Sequence, residues 1–291
     1  MKKIIFDCDN TMGVKDCDVD DGLALMYLLG CHDAKLAGIT ATYGNNQTDI
    51  VMGCIQRMLK DLGREDIPVK KGGKACGEYV SDAADFLVEM VNKYPGEISI
   101  LATGSLTNLG GAYRKDNEFF EKVKEIVLMG GITSPLIFEK KIMDELNFSC
   151  DPAASYNVLT KGKNVSVVTG NNCLKVLFEK EEYKTLFKSG NPAAEYIQKE
   201  TDYYFQYNEE DYGIKGFYNW DVTAAVYLMH PELFADCFKK FDLSEEDLKK
   251  GFLRESEKNK CAVNRPEIGE ESAFKKNIYE TWMRVWVREG K

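Results

Sequence analysis

The feature that most restricts this chain is at its start, where an apolar run, Ile4-Ile5-Phe6, opens directly into Asp7, Asp9, Asp16, Asp18, Asp20 and Asp21. A short apolar run bounded in this way reads as a buried strand, and the carboxylates belong to the loop at its exit. Six carboxylates within fifteen positions repel one another. Two unit charges ~4 Å apart interact by about 4 kcal/mol at the effective dielectric of a protein surface. A bound cation removes that cost; solvated loop acids ahead of a helix are the alternative. The donors on offer are oxygens and no Cys/His set has zinc-like spacing, so a hard ion, Ca²⁺ or Mg²⁺, suits the loop.

The remainder of the sequence narrows the partners. With 291 residues, 44% hydrophobic and 29% charged, the chain is long enough to bury a substantial core without help. Its net charge of −9 repels DNA and RNA and favours a small neutral substrate. Nine cysteines, an odd number with no C-x-x-C pair, read as reduced thiols. Met1-Lys2-Lys3 precedes only three apolar residues, and no run approaches membrane-spanning length. A cytoplasmic protein with no nucleic-acid or membrane partner is expected.

Apolar runs alternate with helical patterns through the first 170 residues or so. Strands are expected at 3–9, 35–42, 98–102, 126–129 and 165–169, with a weaker one at 68–70. Helices are expected at 20–29, 48–62, 83–93, 106–114 and 152–159. Such alternation implies crossover βαβ units: an α/β fold with a mainly parallel, open doubly wound sheet flanked by helices. Ligands then belong at the carboxyl ends of the strands. After about residue 171 the pattern becomes helical, at 181–188, 192–207, 222–229 and 270–287, with an aromatic stretch between Tyr203 and Trp220 and β segments near 251–253 and 261–263. Without a linker or repeat, residues 1–291 read as one domain whose segment 171–291 forms a helical cap and closing elements.

Four signals carry the chemistry. They are the acidic loop D-C-D-N-T-M-G-V-K-D-C-D-V-D-D-G-L-A-L, the strand-turn-helix L-A-T-G-S-L-T-N-L, Met129-Gly130-Gly131 with E-L-N-F-S-C-D-P-A-A downstream, and Asn219-Trp220-Asp221. Asp221 sits at a helix start, where it could cap the helix or turn inward as a ligand. In this order and at these separations the four resemble the inosine-uridine-preferring nucleoside hydrolase family, from Ile4 to about Phe234.

That resemblance implies a nucleoside hydrolase: Ca²⁺-dependent hydrolysis of the N-glycosidic bond of a ribonucleoside to ribose and free base, by a homodimer or homotetramer. It puts Asp9, Asp21, the Thr103 carbonyl and Asp221 on the metal, with Asp9 also as the base that activates a metal-bound water. Asp20, Asn45 and Asn147 would hold the ribose 2′- and 3′-hydroxyls together with Asp221, Glu145 would lie near the 5′-hydroxyl, and Asp7 would support the group from behind. An oxocarbenium-like sugar is stabilised by such carboxylates. The sequence also departs from the pattern. The acidic loop is long, leaving Asp16 and Asp18 without counterparts. Segment 136–143 carries Glu139 and two lysines where relatives often have an Asn for the 5′-hydroxyl. Trp220 stands where pyrimidine-accepting members have a His. An indole stacked on a purine favours protonation of the leaving base, so Trp220 is expected to act in catalysis and purine ribonucleosides are expected as substrates. The rival readings are a haloacid-dehalogenase-type phosphatase, suggested by I-I-F-D-C-D-N-T, and a non-catalytic nucleoside- or ribose-binding protein.

Overall fold

The first apolar run becomes the middle of a nine-stranded sheet in the computed structural model, which describes residues 1–258 and 262–288. β1 (Lys2–Cys8) lies between β2 (Ala34–Ala41) and β4 (Ile98–Ala102), parallel to both. β3 (Val69–Lys71) flanks β2, and β5 (Glu125–Met129) flanks β4. Strand Val165–Val168 follows β5, again parallel. Side chains alternate across the sheet as the pleat requires. Ile4, Phe6 and Cys8 enter the core beneath α1 (Asp20–Gly30), α2 (Thr48–Asp61) and the helices of the C-terminal part. Ile5 enters the opposite core, beneath α3 (Asp82–Lys93), α4 (Thr107–Lys115) and the helix Pro152–Lys161. Both faces are therefore covered, which is why these strands read as continuous apolar runs rather than alternating ones.

Beyond residue 171 the structure holds more than helices. Lys180–Phe187, Pro192–Asp211, Trp220–Met229 and Glu271–Trp282 are helical. Strand Ala262–Asn264 joins the sheet parallel to Val165–Val168, and Phe238–Asp242 and Arg254–Glu255 extend it antiparallel. Phe238–Asp242 reads F-K-K-F-D with only Phe241 buried, so no apolar run marks it. Of the two expected β segments, 251–253 contributes a single bridge between Phe252 and Ile132, while 261–263 falls on the strand Ala262–Asn264, with Cys261 outside the described residues. The last helix ends at Trp282 rather than at 287, because the chain turns there and the Arg288 amide bonds the Asp61 carbonyl at 2.8 Å, strapping the tail to the end of α2. The eight described cysteines are all free thiols. Among the described residues no helix is long and apolar enough to cross a membrane.

Candidate active site

Because the central strands run parallel, the residues after Cys8, Ala41, Ala102, Met129 and Val168 gather at one edge of the sheet. There Gly44-Asn45, Thr103, Gly131 and Gly170 line a cavity of about 400 Å³, together with the N-termini of α1 and of helix Trp220–Met229. The long acidic loop folds onto α2, held by Arg57, which donates to the Met12 carbonyl at 2.5 Å and to Glu200 at 2.8 Å. Thr11 Oγ1 donates to the Asp18 carbonyl at 2.9 Å, and the Asp18 carboxylate receives the Val19 amide at 2.7 Å. This returns the chain so that Asp20 and Asp21 open α1 fully buried, where the positive end of the helix dipole favours carboxylates.

One oxygen each of Asp20, Asp21 and Asp221 lies within 4.8 Å of the others. The Asp221 amide donates to Asp20 Oδ2 at 2.9 Å, and Thr103 Oγ1 donates to Asp21 Oδ1 at 2.6 Å. Asp21 Oδ2 is buried without a hydrogen-bond partner. Asp9 is a like-charge neighbour of Asp21, and its Oδ2 receives the Asn45 amide at 2.6 Å. A side chain at Gly44 would overlap that carboxylate, so glycine is what lets the backbone come so close. Asn147 donates from Nδ2 to the carbonyls of Thr103 and Met129, both at 3.0 Å, which fixes it at the cavity wall. Behind the group, Asp7 is aligned with Thr40 of β2 and receives Thr40 Oγ1 at 2.5 Å and Asn108 Nδ2 at 2.8 Å.

Burial dominates the electrostatics. It pushes the Asp9 carboxyl up to about 6 and the Asp7 carboxyl up to about 7. Asp20, Asp21 and Asp221 are raised well above the usual carboxylate range, first by burial and then by the negative charges around them. No Lys, Arg or His among the described residues lines the cavity. A buried all-oxygen donor set with one unpartnered carboxylate oxygen and no side-chain cation fits a hard metal ion.

The expected metal set and the observed cluster overlap in Asp21 and Asp221. Asp20, expected at the ribose, stands within the carboxylate trio, whereas Asp9 sits beside it under the Asn45 amide. Trp220 lines the cavity, mostly buried and packed on Tyr218 with ring centroids 5.1 Å apart. Glu145 is more committed than its sequence position suggests. Its carboxylate receives the amides of Gly131 at 3.0 Å, Phe148 at 2.8 Å and Ser149 at 3.0 Å, and burial raises its pKa. Sequence reasoning did not single out Tyr204, Tyr207, Tyr212, Leu136 and Met143 as cavity residues. The aromatic stretch was the only signal for the tyrosines. Neither histidine reaches the cavity, and His230 is paired with Glu232 at 2.8 Å.

The profile of the inosine-uridine preferring nucleoside hydrolases matches residues 4–276. This chain belongs to that family. Like its relatives, this nucleoside hydrolase is an enzyme, and membership sets aside the phosphatase reading of its opening residues. A probable uridine nucleosidase 2 from Oryza sativa subsp. japonica is 29% identical over 268 residues, covering 82% of this chain and 77% of that protein. Among solved structures, a plant nucleoside hydrolase superposes with a TM-score of 0.85 at 24% identity, covering 97% of this chain and 99% of that one. A purine-preferring ribonucleoside hydrolase from Gardnerella vaginalis gives 0.85 at 23% identity, over 98% and 99%. These two likenesses establish the nucleoside hydrolase fold.

Proposed function

We propose that this nucleoside hydrolase cleaves the N-glycosidic bond of ribonucleosides with Ca²⁺ as cofactor and prefers purine bases. The observation that carries the reading is the buried trio Asp20, Asp21 and Asp221 beside Asp9 at the cavity floor, with Asp21 Oδ2 unpartnered and, among the described residues, no Lys, Arg or His lining the cavity. Asp9, Asp21, Asp221 and the Thr103 carbonyl would hold the ion, which when bound neutralises these charges, takes oxygen ligands and acidifies water.

Asp9 accepts the proton of the attacking water. The Asn45 amide holds its Oδ2 in place. Asp20, Asn45 and Asn147 take the ribose 2′- and 3′-hydroxyls. As the bond between C1′ and the base nitrogen breaks, its electron pair leaves with the base and positive charge grows on the sugar, facing the carboxylates. Water supplies hydroxyl to C1′ and the departing base gains a proton. The absence of histidine from the cavity lining and the presence of Trp220 there support departure of a purine protonated against the indole face. By the family resemblance the enzyme assembles as a homodimer or homotetramer.

The test is a panel of inosine, adenosine, guanosine, uridine and cytidine, with and without chelator, with chromatography of the released bases. Release that stops in chelator and returns with Ca²⁺, and a higher kcat/KM for inosine than for uridine, are expected. Trp220→Ala should lower the inosine value about tenfold, close to the ~1–2 kcal/mol of a desolvated cation–π contact. Faster uridine cleavage by the wild type, in line with the name of the rice relative, or an unaffected inosine rate in the variant, rejects the purine reading. Binding without release of any base leaves a nucleoside-binding protein.

A further inference from the structure

Beyond its floor, the cavity has two walls of different chemistry. Asp20, Asn45, Thr103, Asn147 and Asp221 form the polar floor, and Tyr204, Tyr207, Tyr212 and Trp220 form an aromatic side. The third side carries the apolar residues Met129, Ile132, Leu136, Met143 and Leu146, with Asp144 and Glu145 among them. A ribonucleoside likewise offers three parts, a diol, a flat base and the C5′ arm. With the diol on the floor and the base on the aromatic side, C5′ meets the apolar wall.

From these contacts we propose that the substrate site accepts ribonucleosides with an apolar 5′ substituent, of the 5′-deoxy and 5′-alkylthio class. The inference rests on the hydrolase reading above and narrows it. Two independent features of the wall support it. First, the segment 136–143, where an asparagine would serve a 5′-hydroxyl, forms a hairpin of Leu136–Ile137 with Ile142–Met143. The cross-strand pair Leu136 and Met143 lines the cavity, while the pair Ile137 and Ile142 faces solvent, as period-two alternation demands. The polar side chains of the hairpin are all drawn to the end of helix Pro192–Asp211. Lys140 Nζ donates to the carbonyls of Glu209 at 2.7 Å and Glu210 at 2.9 Å, Lys141 pairs with Asp211 at 2.6 Å, and Glu139 packs on Gly213. None of the three lines the cavity.

Second, the carboxylate in this wall, Glu145, lines the cavity but is already held by backbone amides. Glu145 receives three backbone amides, and Gly251 packs so closely against it that a side chain there would overlap Oε2. Asp144 lines the cavity too, but its side chain is solvent-exposed. A 5′-hydroxyl at this wall therefore exchanges water for few partners, whereas a methyl or methylthio group buries its surface against aliphatic and thioether side chains. The thioethers of Met129 and Met143 adapt readily to a sulfur-containing substituent.

The test compares kcat/KM for release of base from inosine, 5′-deoxyinosine and 5′-methylthioinosine, and from uridine and 5′-deoxyuridine, all with the full-length protein and Ca²⁺. Loss of the 5′-hydroxyl should change kcat/KM by less than tenfold for either base, and the methylthio compound should exceed inosine by about tenfold, equivalent to about 1.4 kcal/mol. In Met143→Asn, and separately in Leu136→Asn, the ratio of methylthioinosine to inosine should fall at least tenfold; two variants guard against one that folds poorly. A drop of more than tenfold on removing the 5′-hydroxyl, or an unchanged ratio in both folded variants, overturns the inference while leaving nucleoside hydrolysis intact. No base released from any compound overturns both readings.

Discussion

Removing the one carboxylate that supports the site from behind should make the metal-free protein less sensitive to alkali. Asp7 is fully buried, with Oδ2 bonded to Thr40 and Asn108 and Oδ1 without a partner. Burial outweighs those two bonds and, with Asp9 nearby, pushes its pKa from 3.8 up to about 7. Between about pH 4 and pH 7 the folded chain thus holds a proton that the unfolded chain has released, so folding weakens as pH rises through that window. The gap from 3.8 to about 7, at about 1.4 kcal/mol per pH unit, amounts to about 4 kcal/mol, of which about 2.5 kcal/mol falls between pH 5 and pH 8. Asp7→Asn keeps an acceptor for Thr40 and Asn108 and cannot titrate. Urea unfolding of both proteins in chelator, at intervals from pH 5 to pH 8, should show the wild type losing about 2.5 kcal/mol relative to the variant. Parallel pH profiles, or a wild type that gains on the variant as pH rises, would refute the reasoning.

Two further outcomes concern the wall of the cavity. Gly251 has φ of +60° and no room for a methyl group against Glu145, so Gly251→Ala should cost about 2 kcal/mol or more through backbone strain and loosened amide bonds to Glu145, with kcat/KM falling in parallel. Wild-type urea midpoint and activity together would contradict it. Lys140→Ala removes two charge-assisted bonds between the hairpin and the end of helix Pro192–Asp211. At that exposed position we expect about 1 kcal/mol, read as a roughly fivefold rise in KM for inosine with kcat little changed; an unaltered KM would count against the clasp.

The sheet was legible where strands are buried on both faces. β1, β2, β4 and β5 coincide with apolar runs to within a residue or so, since most side chains between two layers of helices must be apolar and the few polar ones, such as Asp7 and Thr40, are hydrogen-bonded. Phe238–Asp242 escaped because it lies near the sheet edge and is mostly charged or exposed. Asp20, Asp21 and Asp221 were named through the resemblance, each at a helix start that could be read locally, and the fold brings one oxygen of each together. Tyr204, Leu136 and Met143 were not, because which side of the helix Pro192–Asp211 or of a two-residue strand meets the cavity depends on docking geometry that periodicity does not encode. The commitment of Glu145 to three amides was likewise invisible, being a property of the turn that follows it.

The bond from the Asp221 amide to Asp20 spans 201 positions, and it closes the carboxylate trio. Any ligand gripped jointly by these residues can therefore be captured only once synthesis has passed helix Trp220–Met229 and both halves have docked. Such a ligand stabilises finished molecules by mass action and does nothing for truncated or half-folded ones, so its retention doubles as a certificate of end-to-end assembly.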